Sequence, residues 1–201
     1  MKIEKIFTDA PNQKVIDNAI DCIDKGNIII IPTDSVYAFA CDALNNSAIE
    51  KICSIKAIKS DRTNLSIICC DIAQASEYAR IDNATFKMMR KNLPGPITFI
   101  LPALNKLPKA FKGRKTVGIR IPATCIITEM VRKLGHPIMV SSIPVVDFDN
   151  DTEPELIAET YDNSATLIID FGRGGSIPST VVDCTEDECT VIRQGNAVLT
   201  E

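Results

Sequence analysis

Four consecutive isoleucines, Ile28 to Ile31, run into Pro32 and then into Thr33, Asp34, Ser35 and Tyr37. An uninterrupted β-branched run of this length reads as a strand covered on both faces. Pro32 removes a backbone donor, so regular pairing should end there. A rigid buried element thus empties into hydroxyls and a carboxylate, as sites built at strand ends do. An ST-turn or Asx-turn would use the same residues.

The rest of the chain alternates around this strand. Residues 11–25 read as a helix with Val15, Ile16, Ala19, Ile20 and Ile23 on one face, Pro11 in its first turn and Gly26 just past its end. A capping box at Ser47 to Glu50 opens a second helix, with Ile49, Ile52, Cys53 and Lys56 on one side. Residues 56–64 lack apolar periodicity and read as an exposed basic loop, and Leu65 to Cys70 returns to strand character. Helices are predicted over 72–79 and 83–92, the second turning Phe86, Met89 and Leu93 inward, before Pro94-Gly95-Pro96 breaks the chain. Strands follow over 97–101 and 116–122, with a cationic stretch from Lys106 to Lys115 between them. A helix over 124–134 closes at Gly135, and Pro137 to Val140 is a strand running into Ser141-Ser142. Residues 147–155 read as an acidic turn, 154–161 as a short exposed helix and 167–170 as a strand. Gly172-Arg173-Gly174-Gly175 is a weak phosphate-loop candidate, and 179–183 with 190–193 form a hairpin. Interleaved strands and helices followed by clustered strands predict one α/β domain with a mixed sheet. A dinucleotide fold is disfavoured, because no Gly-x-Gly-x-x-Gly or Gly-Lys-Ser/Thr follows the first strand.

Composition narrows the chemistry. The 201 residues, 45% apolar and 24% charged, suit a single globular domain. No apolar run approaches the roughly 20 residues of a membrane helix, and the N-terminus lacks a signal-peptide core, so a cytoplasmic protein is expected. The 8 cysteines include no Cys-x-x-Cys and the only histidine is His136. That disfavours a metal site and predicts reduced thiols. It also leaves a Ser-His-Asp or cysteine nucleophile without its base. The net charge of −4 hides an asymmetry: residues 51–120 carry 14 Lys/Arg against 4 Asp/Glu, and the remainder 8 against 22. The basic middle suits a phosphate-facing surface, or simply solvated helix faces. Arg120, inside a short apolar strand, calls for an internal anionic partner or a ligand. Cations and hydroxyls at strand ends fit the handling of a nucleotide or RNA, because phosphoryl and adenylyl transfer need positioning and charge rather than a nucleophilic side chain.

Ile31 to Ala43, Ile-Pro-Thr-Asp-Ser-Val-Tyr-Ala-Phe-Ala-Cys-Asp-Ala, resembles the signature of the YrdC/YciO family of L-threonylcarbamoyladenylate synthases. Ile55-Lys56, Pro94-Gly95-Pro96-Ile97-Thr98, Val117 to Pro122, Ser179 to Asp183 and Ile192-Arg193-Gln194-Gly195 fit in the same order. The Asp-Ser variant, the loop ending in Asn64 and the 141–147 stretch resemble the YciO branch. The resemblance implies one domain over 1–201: a twisted open mixed sheet with flanking helices and a concave basic cavity, of the YrdC/RibB-like type. It implies ATP as substrate with Mg2+, no redox cofactor, and synthesis of threonylcarbamoyl-AMP and pyrophosphate from ATP, L-threonine and bicarbonate for the t6A modification of tRNA. The alternative is a YciO-type protein that binds a nucleotide, double-stranded RNA or tRNA without that synthesis. No membrane is expected, and a homodimer is compatible.

By the same resemblance, Ser35 meets threonine, with Thr33 and Tyr37 beside it in one wall. Lys56 and Ser142 belong to the set that holds the nucleotide and performs the reaction. Asn64 and Thr116 lie near ATP, Arg120 near the threonine carboxylate, Ser179 near substrate and Arg193 near the nucleotide. Lys59, Arg62, Lys109, Lys112 and Lys115 are the candidate RNA contacts. The family pattern has Arg two residues after the lysine and Asn two residues after the serine, where this chain has Ile58 and Pro144. Lys59 or Arg62 could stand in for the missing cation.

Overall fold

The computed structural model describes residues 1–7, 10, 12–59, 65–113, 115–186 and 188–200. The basic loop from 60 to 64, with Arg62 and Asn64, lies outside them, as do Pro11 and Arg114. In chain order the first half comprises β1 (Lys2–Lys5), α1 (Gln13–Asp24), β2 (Ile29–Ile31), β3 (Ala38–Asp42), α2 (Asn46–Ile55), β4 (Ser66–Ile68), α3 (Ile72–Ser76) and α4 (Asn83–Asn92). Then come β5 (Ile97–Pro102), α5 (Lys109–Lys112), β6 (Thr116–Arg120), α6 (Cys125–Leu134), β7 (Ile138–Ser142), α7 (Phe148–Asp151), α8 (Pro154–Thr160), β8 (Leu167–Asp170), β9 (Thr180–Asp183) and β10 (Thr190–Arg193).

All ten strands join one mixed sheet in the order β1-β8-β2-β3-β7-β4-β6-β5-β9-β10. The isoleucine run shows how the sheet separates two cores. Ile28 and Ile30 pack with Ala48, Ile49, Ile52 and Cys53 of α2 and with Met89 of α4. Ile29 and Ile31 pack with Val15, Ile16, Ala19 and Ile23 of α1 and with Ile126, Ile127, Met130 and Val131 of α6. A strand's side chains alternate between faces, so a continuous apolar run feeds both layers at once.

The two layers are unequal. Helices α2, α3, α4, α5 and α8 contribute to the first core, which spans the sheet from Ile168 of β8 to Val182 of β9. On the other face α1 and α6 cover β8, β2, β3 and β7, and reach only Ile68 of β4. That asymmetry leaves β6, β5 and β9 without a helix on this face, and a concavity results.

Several sequence expectations need correction. α2 is capped by Asn45, whose side chain accepts from the Ala48 amide, so the capping box at Ser47 is not used. Phe86 is 41% exposed, and α4 buries only Thr85 and Met89. The stretch expected as an acidic turn contains α7, and α8 is not exposed, since Pro154, Ile157 and Ala158 are buried. The cationic stretch includes α5, which buries Ala110 and Phe111. β3 pairs antiparallel with β2 from Ile31↔Ala38, so residues 32–37 are a hairpin connection rather than an open strand end. β1, with its alternating charges, pairs with β8 at the sheet edge. Finally, Cys184 and Cys189 are joined by a disulfide, so the thiols are not all free. The other cysteines are free.

Candidate nucleotide and substrate cavity

The uncovered part of the sheet holds a cavity of about 430 Å³. That volume lies in the range of small-molecule sites, roughly 300–1,000 Å³. Register explains its composition. Ser66 of β4 pairs with Gly118 and Val140, Ile100 pairs with Gly118, and Thr98 pairs with Val181. These strands turn large apolar residues into the first core, and their alternate positions line the cavity with Ser66, Thr98 and Arg120 beside the apolar Ile100, Val140 and Val181. Ile67, Phe99, Val117 and Ile119 belong to that core, whereas Ser66, Thr98 and Arg120 line the cavity. Gly118 keeps the floor low: a Cβ there would lie 2.4 Å from Ser66 Oγ and 3.0 Å from Thr98 Cγ2.

Among the described residues three cations reach the cavity, namely Lys56, Arg120 and Arg193. Lys56 is the C-cap residue of α2, and its ammonium donates to the carbonyl of Ser142 at the end of β7. Burial alone pushes its pKa below the usual lysine value. Arg193 ends β10 and donates to the Ser179 carbonyl through Nε (3.2 Å) and Nη2 (2.7 Å), and burial lowers its pKa too. Neither has a carboxylate partner among the described residues, unlike Arg120, whose Nη2 lies 2.9 Å from Asp34 Oδ1. Burial pushes the Arg120 pKa down, and the Asp34 charge opposes that shift. Thr98 and Ser179 share a hydroxyl–hydroxyl bond of 2.9 Å. Among the described residues no cluster of His, Cys, Asp and Glu could hold a metal.

The structure therefore brings together Lys56, Arg120, Ser142, Ser179 and Arg193 of the residues singled out by sequence. It adds Ser66, whose only signal was a small polar residue at an alternate position of an apolar strand, together with Thr98 of the Pro94–Thr98 motif and Ser141, noted beside Ser142 at a strand end. Thr33 and Ser35 stand behind Arg120. Ser35 is buried and its Oγ accepts from Arg120 Nη2 at 3.1 Å, while Thr33 Oγ1 accepts from the Ser35 amide in an ST-turn. Tyr37 is not brought to the cavity. Its hydroxyl donates to the Gly172 carbonyl (2.8 Å) and accepts from the Phe171 amide (3.1 Å). Thr116 opens β6 at the end away from Arg120, opposite Pro102. Lys59, Lys109, Lys112 and Lys115 are exposed and do not line the cavity.

The Gly172–Gly175 loop is not a phosphate loop. A Cβ on Gly174 would meet the Tyr37 ring at 2.6 Å, and one on Gly175 the Ser35 carbonyl at 2.0 Å. Gly174 and Gly175 let the loop lie flat on residues 35–37, and Gly172 takes a positive φ. Arg173 is engaged by Glu153 and Asp149.

A Sua5/YciO/YrdC family model, described as telomere recombination, matches residues 21–195. The chain belongs to the Sua5/YciO/YrdC family. Within it, the uncharacterized protein YciO of Escherichia coli is 36% identical over 194 residues, covering 94% of this chain and 93% of that protein. The crystal structure of E. coli YciO superposes with a TM-score of 0.88, at 34% identity, covering 97% of this chain and 96% of that one. Threonylcarbamoyl-AMP synthase of Bacillus subtilis is 29% identical over 97% of this chain and 59% of its own length. P. abyssi Sua5 complexed with L-threonine superposes with a TM-score of 0.87, at 27% identity, over 97% of this chain and 58% of that chain. The mixed sheet with flanking helices thus matches the E. coli YciO and P. abyssi Sua5 structures over nearly the whole chain. Where the family pattern carries an arginine, Ile58 packs against the first core, its amide bonded to the Cys53 carbonyl. Pro144 follows β7 and is exposed.

Proposed function

We propose that the protein binds ATP and L-threonine together in this cavity and joins them through bicarbonate, as a synthase of the threonylcarbamoyl-AMP type. The observation that carries this reading is the pairing of two carboxylate-free cations, Lys56 and Arg193, with a charge-compensated arginine, Arg120, around one hydroxyl-lined floor. Uncompensated cations in a partly dry site suit a polyphosphate. A fixed arginine suits a small carboxylate. The P. abyssi Sua5 complex with L-threonine and the synthase relatives support both ligands.

The chemistry balances without a side-chain nucleophile. The threonine amine attacks the bicarbonate carbon and water leaves. A carbamate oxygen then attacks the α-phosphorus of ATP, the new P–O bond forms, and pyrophosphate departs. Lys56 and Arg193 stabilise charge on the phosphates, the Ser142, Ser179 and Thr98 hydroxyls orient the ligands, and Arg120 with Ser35 behind it receives the threonine carboxylate. Among the described residues the cavity lining offers no carboxylate, so Mg2+ would enter on the nucleotide's phosphates rather than on protein ligands. A purified sample should release pyrophosphate only with ATP, threonine and bicarbonate all present. Release that ignores threonine would sink the proposal.

A second reading, nucleotide or RNA binding without synthesis, is favoured by Ile58, which turns an expected cation into core packing. Lys109 and Lys112, exposed on α5 with no ion pair among the described residues, offer the basic surface. ATP binding with no pyrophosphate release would select this reading.

A further inference from the structure

We infer that Asp34 is a positioning residue for Arg120 that keeps an amino-acid carboxylate subsite electrically separate from the polyphosphate subsite of the same cavity. The inference rests on the reading above. It concerns a residue that the sequence leaves in the shadow of its hydroxyl neighbours.

Asp34 ties three segments together. Its Oδ1 accepts from Arg120 Nη2 at 2.9 Å, its Oδ2 from the Ala123 amide at 2.9 Å, and its carbonyl from Asn196 Nδ2 at 3.2 Å. The β2–β3 connection is thereby fixed to the end of β6 and to the turn after β10. Both hydrogens of Arg120 Nη2 are spoken for, by Asp34 and by Ser35 Oγ at 3.1 Å. A guanidinium held on one side by two acceptors cannot swivel, so its remaining donors face a fixed direction. Its buried Nε has no hydrogen-bond partner among the described residues, so donor capacity is left on the group.

Charge gives the second half of the argument. Lys56 and Arg193 have no carboxylate partner among the described residues, whereas Asp34 offsets the charge of Arg120. A triphosphate is drawn to the first two. A neutral pair with an oriented donor edge still hydrogen-bonds a carboxylate but does not compete for the phosphates. Without Asp34 the cavity would hold three uncompensated cations, one of them free to turn toward the nucleotide.

The test is calorimetric titration of the full chain with ATP and, separately, L-threonine, for wild type and Asp34→Asn. A lost charged hydrogen bond predicts a threonine Kd raised roughly 10- to 100-fold, with ATP bound as tightly as before or tighter. Equal loss of both ligands, or unchanged threonine affinity, overturns the inference. Should Asp34→Asn fail to fold, Ser35→Ala removes the second acceptor for Nη2, along with the Thr33 hydroxyl contact, and leaves the Asp34 carboxylate in place. It should weaken threonine by several-fold and leave ATP alone, and equal effects on both would again overturn it. A wild-type protein that binds neither ligand refutes the underlying reading instead, which keeps the two failures apart.

Discussion

The Lys56 ammonium loses water on folding and, among the described residues, gains only the Ser142 carbonyl, so its pKa falls below the ordinary lysine value. A lowered amine pKa means that the folded chain holds fewer protons than the unfolded one between the two values, so stability rises with pH in that window. At neutral pH the charge therefore opposes folding, and its use must lie in binding. Lys56→Met should leave the denaturant midpoint equal or higher while weakening ATP by about 10- to 100-fold, measured by urea unfolding and titration. A lower midpoint with unchanged ATP affinity would make Lys56 structural. In the wild type, ATP affinity should decline with rising pH earlier than an ordinary lysine would dictate. Gly118 supplies the complementary residue-scale prediction. Gly118→Ala forces Ser66 and Thr98 to shift, since Ser66 Oγ would be 2.4 Å from the new Cβ. The protein should stay folded by circular dichroism yet bind ATP at least several-fold more weakly, and unaltered binding would contradict the placement of the cavity floor.

At the scale of elements, Tyr37 and the 172–175 loop form a brace rather than a ligand wall. Tyr37→Phe removes a hydroxyl that serves Phe171 and Gly172. It should cost about 1–3 kcal/mol in unfolding free energy and leave ATP and threonine affinity unchanged. The β9–β10 hairpin is closed by Cys184–Cys189 across a separation of 5 residues. Alkylation and mass measurement under non-reducing conditions should find these two cysteines protected, and reduction should cost about 2 kcal/mol. Full labelling of the native protein would restore the sequence expectation of free thiols. These elements also mark what the sequence could convey. The isoleucine run, the helix face at Val15 to Ile23 and the hairpin over 179–193 were legible because each is a local period. Tyr37 and Thr116 do not line the cavity, and for Tyr37 the reason is that resemblance assigns a position but not the direction of a hydroxyl. Ser66 and Thr98 become site residues only when register sets them beside Gly118, and Asp34 matters only because β6 brings Arg120 and Ala123 to it, 86 and 89 residues away in sequence.

For the whole molecule, the decisive property is unequal coverage of one sheet. Helices close one face from β8 to β9, while α1 and α6 close only part of the other, so the cavity is a gap in the layer and needs no dedicated element. The basic middle of the chain divides accordingly: Lys56 and Arg120 serve the cavity, and Lys109 and Lys112 sit outside it. If that outer surface holds RNA, reversing Lys109 and Lys112 to Glu should weaken double-stranded RNA and reduce the salt slope by about 0.9 for each phosphate that is no longer neutralised. ATP affinity should not move. Fluorescence anisotropy over a salt series reads this directly, and an unchanged slope would make these lysines ordinary solvated charges. The central claim is that one cavity takes a nucleotide and an amino acid together on separate cations. Titrating L-threonine into the ATP-saturated protein tests it most directly. Threonine should bind at least as tightly as to the free protein. Displacement of ATP by threonine, or no threonine binding at all, would contradict it.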